Sequence, residues 1–311
     1  MPHGWIVLDK PEGLSSAAAV GRVRRLFVAS KAGHGGTLDP LATGLLPIAL
    51  GEATKTVDAV MAGEKTYRFT VAWGAETATG DREGAVTATS PVRPDRTAIA
   101  AALRPFIGNI EQTPPAYSAL KVGGRPAYEL ARAGEAVTLA PRRVTIASLQ
   151  LGGVEADAAT FEVRCGKGLY VRSLARDLAR ALGTCGHVAM LRRTAVGPFA
   201  ETDMIPLAKL EELGHKGAGR EAIFAALHPL RTALDDIPAL ALGEADAKRL
   251  RQGQSVSLRS PVATPDHDTV LVLNGDVPIA LASVRSGVIS PKRVFNLEAA
   301  SPPEKETSRC R

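Results

Sequence analysis

The most restrictive part of this sequence is the segment 31–55, KAGHGGTLDPLATGLLPIALGEATK, which contains five glycines and two prolines. Proline fixes φ and lacks a backbone donor, and glycine inside a helix or strand costs roughly 0.5–1 kcal/mol relative to alanine. A long helix or an unbroken strand is therefore excluded over most of this segment. The pattern predicts a sharply turning loop that enters a short buried segment from Leu45 to Leu50.

The sequence on both sides of this loop alternates between strand and helix patterns. Apolar residues at every second position indicate strands, which are predicted over 67–73, 144–151 and 159–165. Apolar residues at helical spacing predict a capped helix over about 16–28 and another that Asp95 caps and that ends near Pro105. A third helix is predicted over about 170–183, with Ser173 as its cap and Gly183 as its terminator.

Turn-rich and polar segments divide the chain. Residues 113–143 place proline, glycine and basic residues around one short helix, which predicts a mobile insertion. After Thr194 the sequence predicts mainly loops, and a domain junction is expected at about 235–238. Beyond it, residues 244–253 predict a short helix, and the segments TVLVL and PIALASV predict strands. Residues 299–311 predict a disordered tail.

Composition and missing motifs exclude several classes of protein. Of the 311 residues 45% are hydrophobic, and no apolar run approaches the ~18–20 residues that a membrane helix needs. Cys165, Cys185 and Cys310 lie too far apart for a disulfide framework or a zinc site, and His34 has no second histidine at metal-ligand spacing. No glycine motif for phosphate or dinucleotide binding is present. The sequence therefore predicts a reduced, cytosolic protein without a metal or an ATP, NAD or flavin cofactor.

Basic residues are concentrated in one part of the chain. Residues 164–193 contain seven lysines and arginines against one aspartate, and this excess equals the net charge of +6 of the whole chain. Arg172, Arg176 and Arg180 recur at a spacing of four in the predicted helix and form one row. A local basic stripe is typical of a polyanion-binding surface, and a solvated helix face is the alternative interpretation.

Asp39, in the motif HGGTLDPLATG, is a candidate for chemistry. A residue before proline adopts an extended or turn conformation, and Leu38 and Leu41 would partly shield this carboxylate from water. Because desolvation favours the neutral form, a nucleophilic role requires a nearby cation, such as an arginine lining the same cleft. The alternative is that Asp39 only caps a turn or a helix. Tyr67 and Tyr170 border turns, and for each the pattern alone favours an ordinary core or surface tyrosine over a role in the site.

Five sequence blocks together resemble one known family. They are LDKPEGLSS (8–16), GHGGTLDPLATGLLPIALGEATK (33–55), KTYRF (65–69), GKGLYVRSLARDL (166–178) and LRRTAVGPF (191–199). In this order and spacing they resemble the tRNA pseudouridine-55 synthases, the TruB family, and they span most of residues 5–200. The motif DPLATG is more similar to the corresponding motif of the bacterial stand-alone members than to that of their guide-RNA-dependent relatives.

The resemblance implies a fold and a reaction. The expected fold is α+β, with a mixed, largely antiparallel central sheet and flanking helices in a catalytic domain over 1–237, including an RNA-clamping insertion at about 113–143. A small β-rich, PUA-like RNA-binding module over 238–296 and a disordered tail over 297–311 would follow. The reaction detaches uracil from C1′ of a uridine, rotates it and rejoins it through C5, without a cofactor.

The resemblance also implies a substrate and roles for individual residues. The substrate would be uridine 55 in the T-loop of tRNA, bound by a cytoplasmic monomer that needs no protein partner. Asp39 matches the catalytic nucleophile, Arg172 the arginine paired with it, and Tyr67 the tyrosine that packs on the target base and handles a proton. The further substrate-binding residues would be His34, Tyr170, Leu191 and Lys10, with Lys10 supporting the active-site loop, and the RNA phosphate contacts would be Arg176 and Arg180.

Two alternatives belong to other functional classes. An RNA-binding tRNA-folding chaperone with incidental or lost catalysis would bind RNA without needing Asp39. A glycoside hydrolase or nucleosidase would also attack a glycosidic bond, but such enzymes usually need a pair of catalytic carboxylates. Release of free uracil separates the second alternative from an isomerase.

Overall fold

The computed structural model describes residues 1–215, 219–258 and 265–297 of the chain. The strands in these residues are β1 (Gly4–Lys10), β2 (Ala32–His34), β3 (Thr43–Leu50), β4 (Lys65–Trp73), β5 (Ala75–Thr77), β6 (Val86–Thr89), β7 (Gly108–Gln112), β8 (Lys121–Val122), β9 (Arg125–Pro126), β10 (Arg142–Val154), β11 (Ala158–Cys165), β12 (Gly186–Val196), β13 (Phe199–Ala200), β14 (Ile205–Pro206), β15 (His228–Pro229), β16 (Ala239–Ala241), β17 (Val256–Ser257), β18 (His267–Asn274), β19 (Val277–Arg285) and β20 (Val288–Val294). The α-helices are α1 (Ser16–Leu26), α2 (Val57–Ala62), α3 (Arg96–Ala102), α4 (Ala127–Arg132), α5 (Val171–Ala181), α6 (Leu207–His215), α7 (Gly219–Phe224) and α8 (Glu244–Arg251).

A large central sheet organises the first part of the chain. Its strand order is β14-β1-β3-β12-β4-β11-β10-β7, with β2, β13 and β15 pairing onto β3, β12 and β1. The β1–β14 and β3–β12 pairs are parallel, and the remaining pairs of this sheet are antiparallel. The α+β fold with a mixed, largely antiparallel sheet is therefore confirmed.

The centre of this sheet is the part that the sequence pattern predicts best. In β4, the side chains of Phe69, Val71 and Trp73 are buried, as the alternation indicates. Phe69 stacks on Phe161 of the neighbouring strand β11, with ring centroids 5.3 Å apart. The helix α5 covers this face with Leu174 and other residues that are fully buried. These contacts fix the position of β4 and α5 relative to each other.

The segment 31–55 contains more regular structure than a loop. The buried run from Leu45 to Leu50 lies in β3, as predicted, but 32–34 also form the short strand β2 against the end of β3. The residues between β2 and β3 are the turning loop. Gly44 has φ +94°, and a Cβ there would lie 2.3 Å from the carbonyl oxygen of Arg193, so only glycine fits.

The helix boundaries differ from prediction at specific residues. Ser15 caps α1 by accepting the N–H of Ala18, but the helix ends at Leu26 because Val28 has φ +50°. Asp95 caps α3, as predicted. Ser173 does not cap α5, because the helix already begins after Tyr170. The hydroxyl of Ser173 instead donates to the carbonyl oxygen of Thr113 at 2.8 Å.

Two further predictions concern segments outside the centre of the sheet. The short helix within 113–143 is α4, which follows the small β8–β9 hairpin. The prediction of loops after Thr194 is wrong, since β12 runs on to Val196 and α6 and α7 follow. Leu207 and Leu210 are buried in the main core, and this tertiary packing stabilises α6 where the local pattern is weak.

A separate five-stranded sheet follows at the C-terminal end, in the order β16-β18-β19-β20-β17. The predicted helix is α8, whose Ala247 and Leu250 are buried against this sheet, and the two predicted strands lie in β18 and β19. The prediction of disorder over 297–311 falls outside the described residues, apart from its first residue. Across the described ranges, no helix has the length and apolar character that crossing a bilayer would require.

Candidate active site

A cavity of about 330 Å³ opens where the Asp39 loop, β4, β12 and the turn before α5 meet. Tyr67 on β4 and Leu191 on β12 contribute to its wall because these strands pair in the centre of the sheet. Tyr170 and Arg172 reach it from the start of α5. The structure thus brings together five of the predicted site residues that are far apart in sequence.

Asp39 forms an ion pair with Arg172 at this cavity. The Nη2 of Arg172 lies 2.9 Å from Oδ2 of Asp39, and the two side chains are 8% and 38% exposed. The guanidinium also donates to the carbonyl oxygens of Thr79 and Tyr117, both at 2.9 Å. A nearly buried, rigidly held cation therefore faces a carboxylate that a substrate can still reach.

A second carboxylate, which the sequence analysis missed, lies on the other side of Arg172. The Oδ2 of Asp81 is 3.6 Å from Nη1 of Arg172, and the Asp81 side chain is only 5% exposed. Its Oδ1 accepts the hydroxyl of Thr79 at 2.5 Å and the N–H of Glu83 at 3.1 Å. Nothing in the polar segment ATGDREG distinguishes Asp81 from a turn residue, so the sequence offered no signal.

Lys10 supports the Asp39 loop from behind the cavity. Its Nζ donates to the carbonyl oxygens of Pro11, Leu14 and Pro40 at 2.9, 2.8 and 3.2 Å. Burial lowers the pKa of Lys10 to about 8, and the nearby charge of Asp39 partly opposes this shift. Lys10 does not line the cavity, so its position is that of a support for the loop.

Arg193 holds the same loop from the side of the sheet and was also missed. Its Nε donates to Leu45 O at 2.8 Å, and its Nη2 and Nη1 donate to Gly36 O and Thr37 O at 2.9 and 3.4 Å. The residue is 1% exposed. In the sequence it counted only as part of the basic stripe, whereas its inward direction follows from the pairing of β12 with β4.

The two tyrosines at the cavity keep their phenol protons at neutral pH. Burial raises the pKa of Tyr67, with the charge of Arg193 opposing, and burial also raises the pKa of Tyr170. The backbone N–H of Tyr170 donates to Oε1 of Gln112 at 2.9 Å, which fixes the turn before α5. Both rings are therefore neutral and apolar enough to contact a nucleobase.

His34 lies outside this cavity. It lines a neighbouring cavity of about 470 Å³ that shares Asp39 and Arg172 with the first. Burial lowers the pKa of His34, and the charge of Arg193 lowers it further, so the ring is neutral at pH 7.

Arg176 and Arg180 have partners within the protein. The Nε of Arg176 lies 2.9 Å from Oδ1 of Asp177, and its Nη2 donates to Thr113 O at 3.2 Å. The Nη2 of Arg180 lies 2.8 Å from Oε1 of Glu76. The row of arginines is thus divided, because Arg172 points into the site and the other two are engaged near the surface.

No group of three or more His, Cys, Asp or Glu side chains in the described ranges has the arrangement of a metal site. The side chains that line the cavity include one carboxylate, two guanidinium groups, two phenols and the ammonium groups of Lys65 and Lys167.

Family models and known proteins match most of this chain. The model of the TruB family pseudouridylate synthase N-terminal domain matches residues 24–171, and that of the tRNA pseudouridylate synthase B C-terminal domain matches residues 172–235. The tRNA pseudouridine synthase B of Bradyrhizobium diazoefficiens is 58% identical over 308 residues, which cover 98% of this chain and 89% of that protein. The protein of the same name from Caulobacter vibrioides is 53% identical over 302 residues, covering 94% and 96%.

Solved structures extend the similarity to the fold. A chain in the crystal structure of a Cbf5-Nop10-Gar1 complex superposes with a TM-score of 0.74 at 25% identity, covering 94% of this chain and 85% of its own. A chain of the archaeal box H/ACA sRNP Nop10-Cbf5 complex gives a TM-score of 0.71, also at 25% identity, covering 94% and 86%. With relatives this similar along nearly its whole length, the chain belongs to the TruB family of pseudouridylate synthases.

Proposed function

We propose that this protein isomerises uridine 55 to pseudouridine in the T-loop of tRNA, without a cofactor. The observation that carries the proposal is the ion pair of Asp39 with the nearly buried Arg172, at a cavity walled by Tyr67, Tyr170 and Leu191. The relatives named tRNA pseudouridine synthase B support a tRNA substrate. The T-loop position rests on the resemblance of the sequence blocks.

The proposed chemistry uses Asp39 as the nucleophile. The bond from N1 to C1′ breaks, the uracil rotates within the cavity, a bond forms from C5 to C1′, and the proton on C5 moves to N1 of the product. An adjacent cation stabilises the ionised carboxylate, which is the role of Arg172. The carboxylate of Asp39 would bond either to C1′ of the sugar or to the base, and this bond breaks again before the product leaves, which regenerates the carboxylate. The phenol of Tyr67 would assist the proton transfer.

The cavity also explains how the target base would be held. A base must leave its stack to reach a buried carboxylate, at a cost of a few kcal/mol. Stacking on an aromatic side chain returns about 1–3 kcal/mol, so Tyr67 offsets much of this cost. The neutral ring of His34, in the neighbouring cavity, would occupy the space that the base vacates in the RNA loop.

The outer parts of the molecule would recognise the T stem-loop. Sequence-specific RNA recognition usually targets loops with unstacked bases, as in a T-loop. The insertion over 113–143 would close over the RNA, and residues 238–296 would act as a PUA-like RNA-binding module. Arg176 and Arg180 could bind phosphates only by exchanging their present partners. We propose a cytoplasmic monomer that needs no protein partner.

The alternatives fit the site less well. A chaperone that only binds RNA has no use for a half-exposed carboxylate fixed by a buried arginine. A nucleosidase would need a second carboxylate facing the base, but Asp39 is the only carboxylate among the described residues that line the cavity.

The test is to incubate the protein with an unmodified tRNA transcript, without cofactors, and to map pseudouridine by sequencing. We expect pseudouridine at position 55 and no free uracil. Release of uracil would support the nucleosidase instead, and binding without either product would support the chaperone.

A further inference from the structure

Two exposed basic residues have no role in the site as described so far: Lys167 lines the uridine cavity, and Arg142 lies on β10, which anchors the turn that carries Lys167. Lys167 lies in the turn 166–168 between β11 and α5, and it lines the cavity while remaining exposed to solvent. Arg142 is the first residue of β10 and is also exposed.

The fold places Arg142 on the strand to which the turn of Lys167 is hydrogen-bonded. The N–H of Gly166 donates to Thr145 O at 2.9 Å, so the turn that carries Lys167 is anchored to the beginning of β10. Along β10, Val144 is buried and Arg142 lies two residues before it, on the same face of the strand. Arg142 is also the register partner of Gln112, the residue that binds the backbone of Tyr170.

The electrostatic effect of each charge agrees with this position. The charge of Arg142 acts to lower the pKa of Tyr170, against the larger effect of burial. The charge of Lys167 contributes to lowering the pKa of Lys65, which also lines the cavity. Both cations therefore lie close to the groups that a bound nucleotide would touch.

Neither side chain is engaged within the protein. Among the described residues, Lys167 and Arg142 form no ion pair and no side-chain hydrogen bond, in contrast to Arg176 and Arg180. A cation without an internal partner can bind an anion without first breaking an ion pair. The two residues are thus better placed to bind RNA than the arginines that the helix pattern selects.

A nucleotide whose base fills the cavity must leave its two phosphates at the cavity mouth. Lysine binds phosphate as a point charge, and arginine binds it with two parallel hydrogen bonds. We propose that Lys167 and Arg142 bind the phosphates on the two sides of the flipped nucleotide and so fix its backbone while the base turns. This inference rests on the proposed function.

The first experiment measures the salt dependence of binding of an unmodified tRNA transcript to the full-length protein. Lys167→Gln and Arg142→Gln are each expected to reduce the slope of log Kd against log salt by about 0.7–0.9, the value of one lost phosphate contact. Arg143→Gln is the matched control, because Arg143 is also exposed and is adjacent but lies on the opposite face of β10. We expect its slope to remain within about 0.2 of the wild type.

The second experiment assigns the contacts to particular phosphates. In two stem–loop RNAs, a neutral methylphosphonate replaces the phosphate on the 5′ or on the 3′ side of the target uridine, and a 2′-O-methyl group lies beside this linkage. Each is compared with an RNA that has the 2′-O-methyl group at the same place and an ordinary phosphate. If the proposal holds, each variant binds one of the two neutral RNAs with the same Kd as the wild type, because that RNA lacks the charge that the replaced residue would contact. Variants that behave like Arg143→Gln, or that lose affinity equally for all RNAs, would overturn it.

Formation of pseudouridine by the wild type in the same RNA separates this inference from the proposed function. If the wild type forms pseudouridine and the two variants match the control, only the phosphate assignment fails. If the wild type forms none, the proposed function itself fails, whatever the slopes show.

Discussion

The guanidinium of Arg172 lies between two carboxylates of unequal exposure, 2.9 Å from Asp39 and 3.6 Å from Asp81. Asp39 is 38% exposed and faces the cavity, whereas Asp81 is 5% exposed and is held by Thr79 and Glu83. The buried carboxylate orients the guanidinium, and the guanidinium presents its other edge to the exposed one. The orientation of Asp39 at the cavity therefore depends on Arg172, and the orientation of Arg172 depends on the buried Asp81.

Replacing Arg172 by lysine keeps the charge but removes the planar fork. A lysine cannot contact both carboxylates and both carbonyl oxygens at once, so Asp39 loses its fixed orientation. We expect the single-turnover rate at saturating tRNA to fall by about 10²–10³-fold, comparable to losing one preorganised electrostatic contact. The tRNA Kd should change far less. A rate within threefold of the wild type would contradict the role of the pair.

Replacing Asp81 by asparagine tests the buried carboxylate separately. The variant keeps the shape of the side chain but removes the charge that orients Arg172. We therefore expect turnover to fall about tenfold or more with little change in KM. A tenfold fall corresponds to about 1.4 kcal/mol of lost transition-state stabilisation. Glu83→Gln is the control, because Glu83 contacts Asp81 through its backbone N–H. Equal rates for both variants would show that Asp81 has no part in positioning.

Arg193→Gln is expected to destabilise the protein. The guanidinium donates to the carbonyl oxygens of Gly36 and Thr37 in the Asp39 loop and of Leu45 in β3, and its loss leaves the buried Leu45 acceptor unpaired. The expected loss is about 2–3 kcal/mol of unfolding free energy, measured by denaturant titration. Arg192→Gln is the matched control at the adjacent position, where the partners Asp9 and Glu201 are partly exposed, and it should cost less than about 1 kcal/mol. Equal losses would contradict the account.

The lowered pKa of Lys10 predicts that the unfolding free energy of the protein depends on pH. Its pKa is lowered from 10.5 to about 8 in the folded protein, so the unfolded chain binds more protons than the folded protein between these values. Stability contributed by this group therefore rises with pH from about 8 to 10.5 and is constant below that range. The unfolding free energy of the wild type relative to Lys10→Met should increase over this interval. A difference that is flat or decreases would contradict the burial of a charged Lys10.

The parts of the fold that local pattern determines could be predicted from the sequence. The alternation in β4, the cap at Asp95 and the apolar run in β3 are local signals, and each appears in the structure. The helix α6 was missed because its burial depends on contacts with distant parts of the core. Ser173 failed as a cap because a serine within the first turn looks the same in sequence as one just before it.

The residues of the candidate site also fall into those that the sequence could identify and those that only the fold reveals. The blocks that resemble the family contain Asp39, Tyr67, Tyr170 and Arg172, which share one cavity. Asp81 lies outside these blocks in a polar turn, and only the fold brings it to Arg172. Arg193 lies inside a block, but the direction of its side chain depends on the pairing of β12 with β4. Proximity across the sheet is what the sequence alone could not supply.

The central claim is that Asp39 carries the chemistry, and Asp39→Asn tests it most directly. Asparagine has nearly the same size and retains a hydrogen bond to Arg172, but it lacks the negative charge. The measurement follows pseudouridine formation at position 55 under single-turnover conditions, together with the Kd for the same tRNA transcript. We predict that Asp39→Asn binds tRNA within a few fold of the wild type and forms no detectable pseudouridine. Pseudouridine formation by this variant at a rate near that of the wild type would contradict the account.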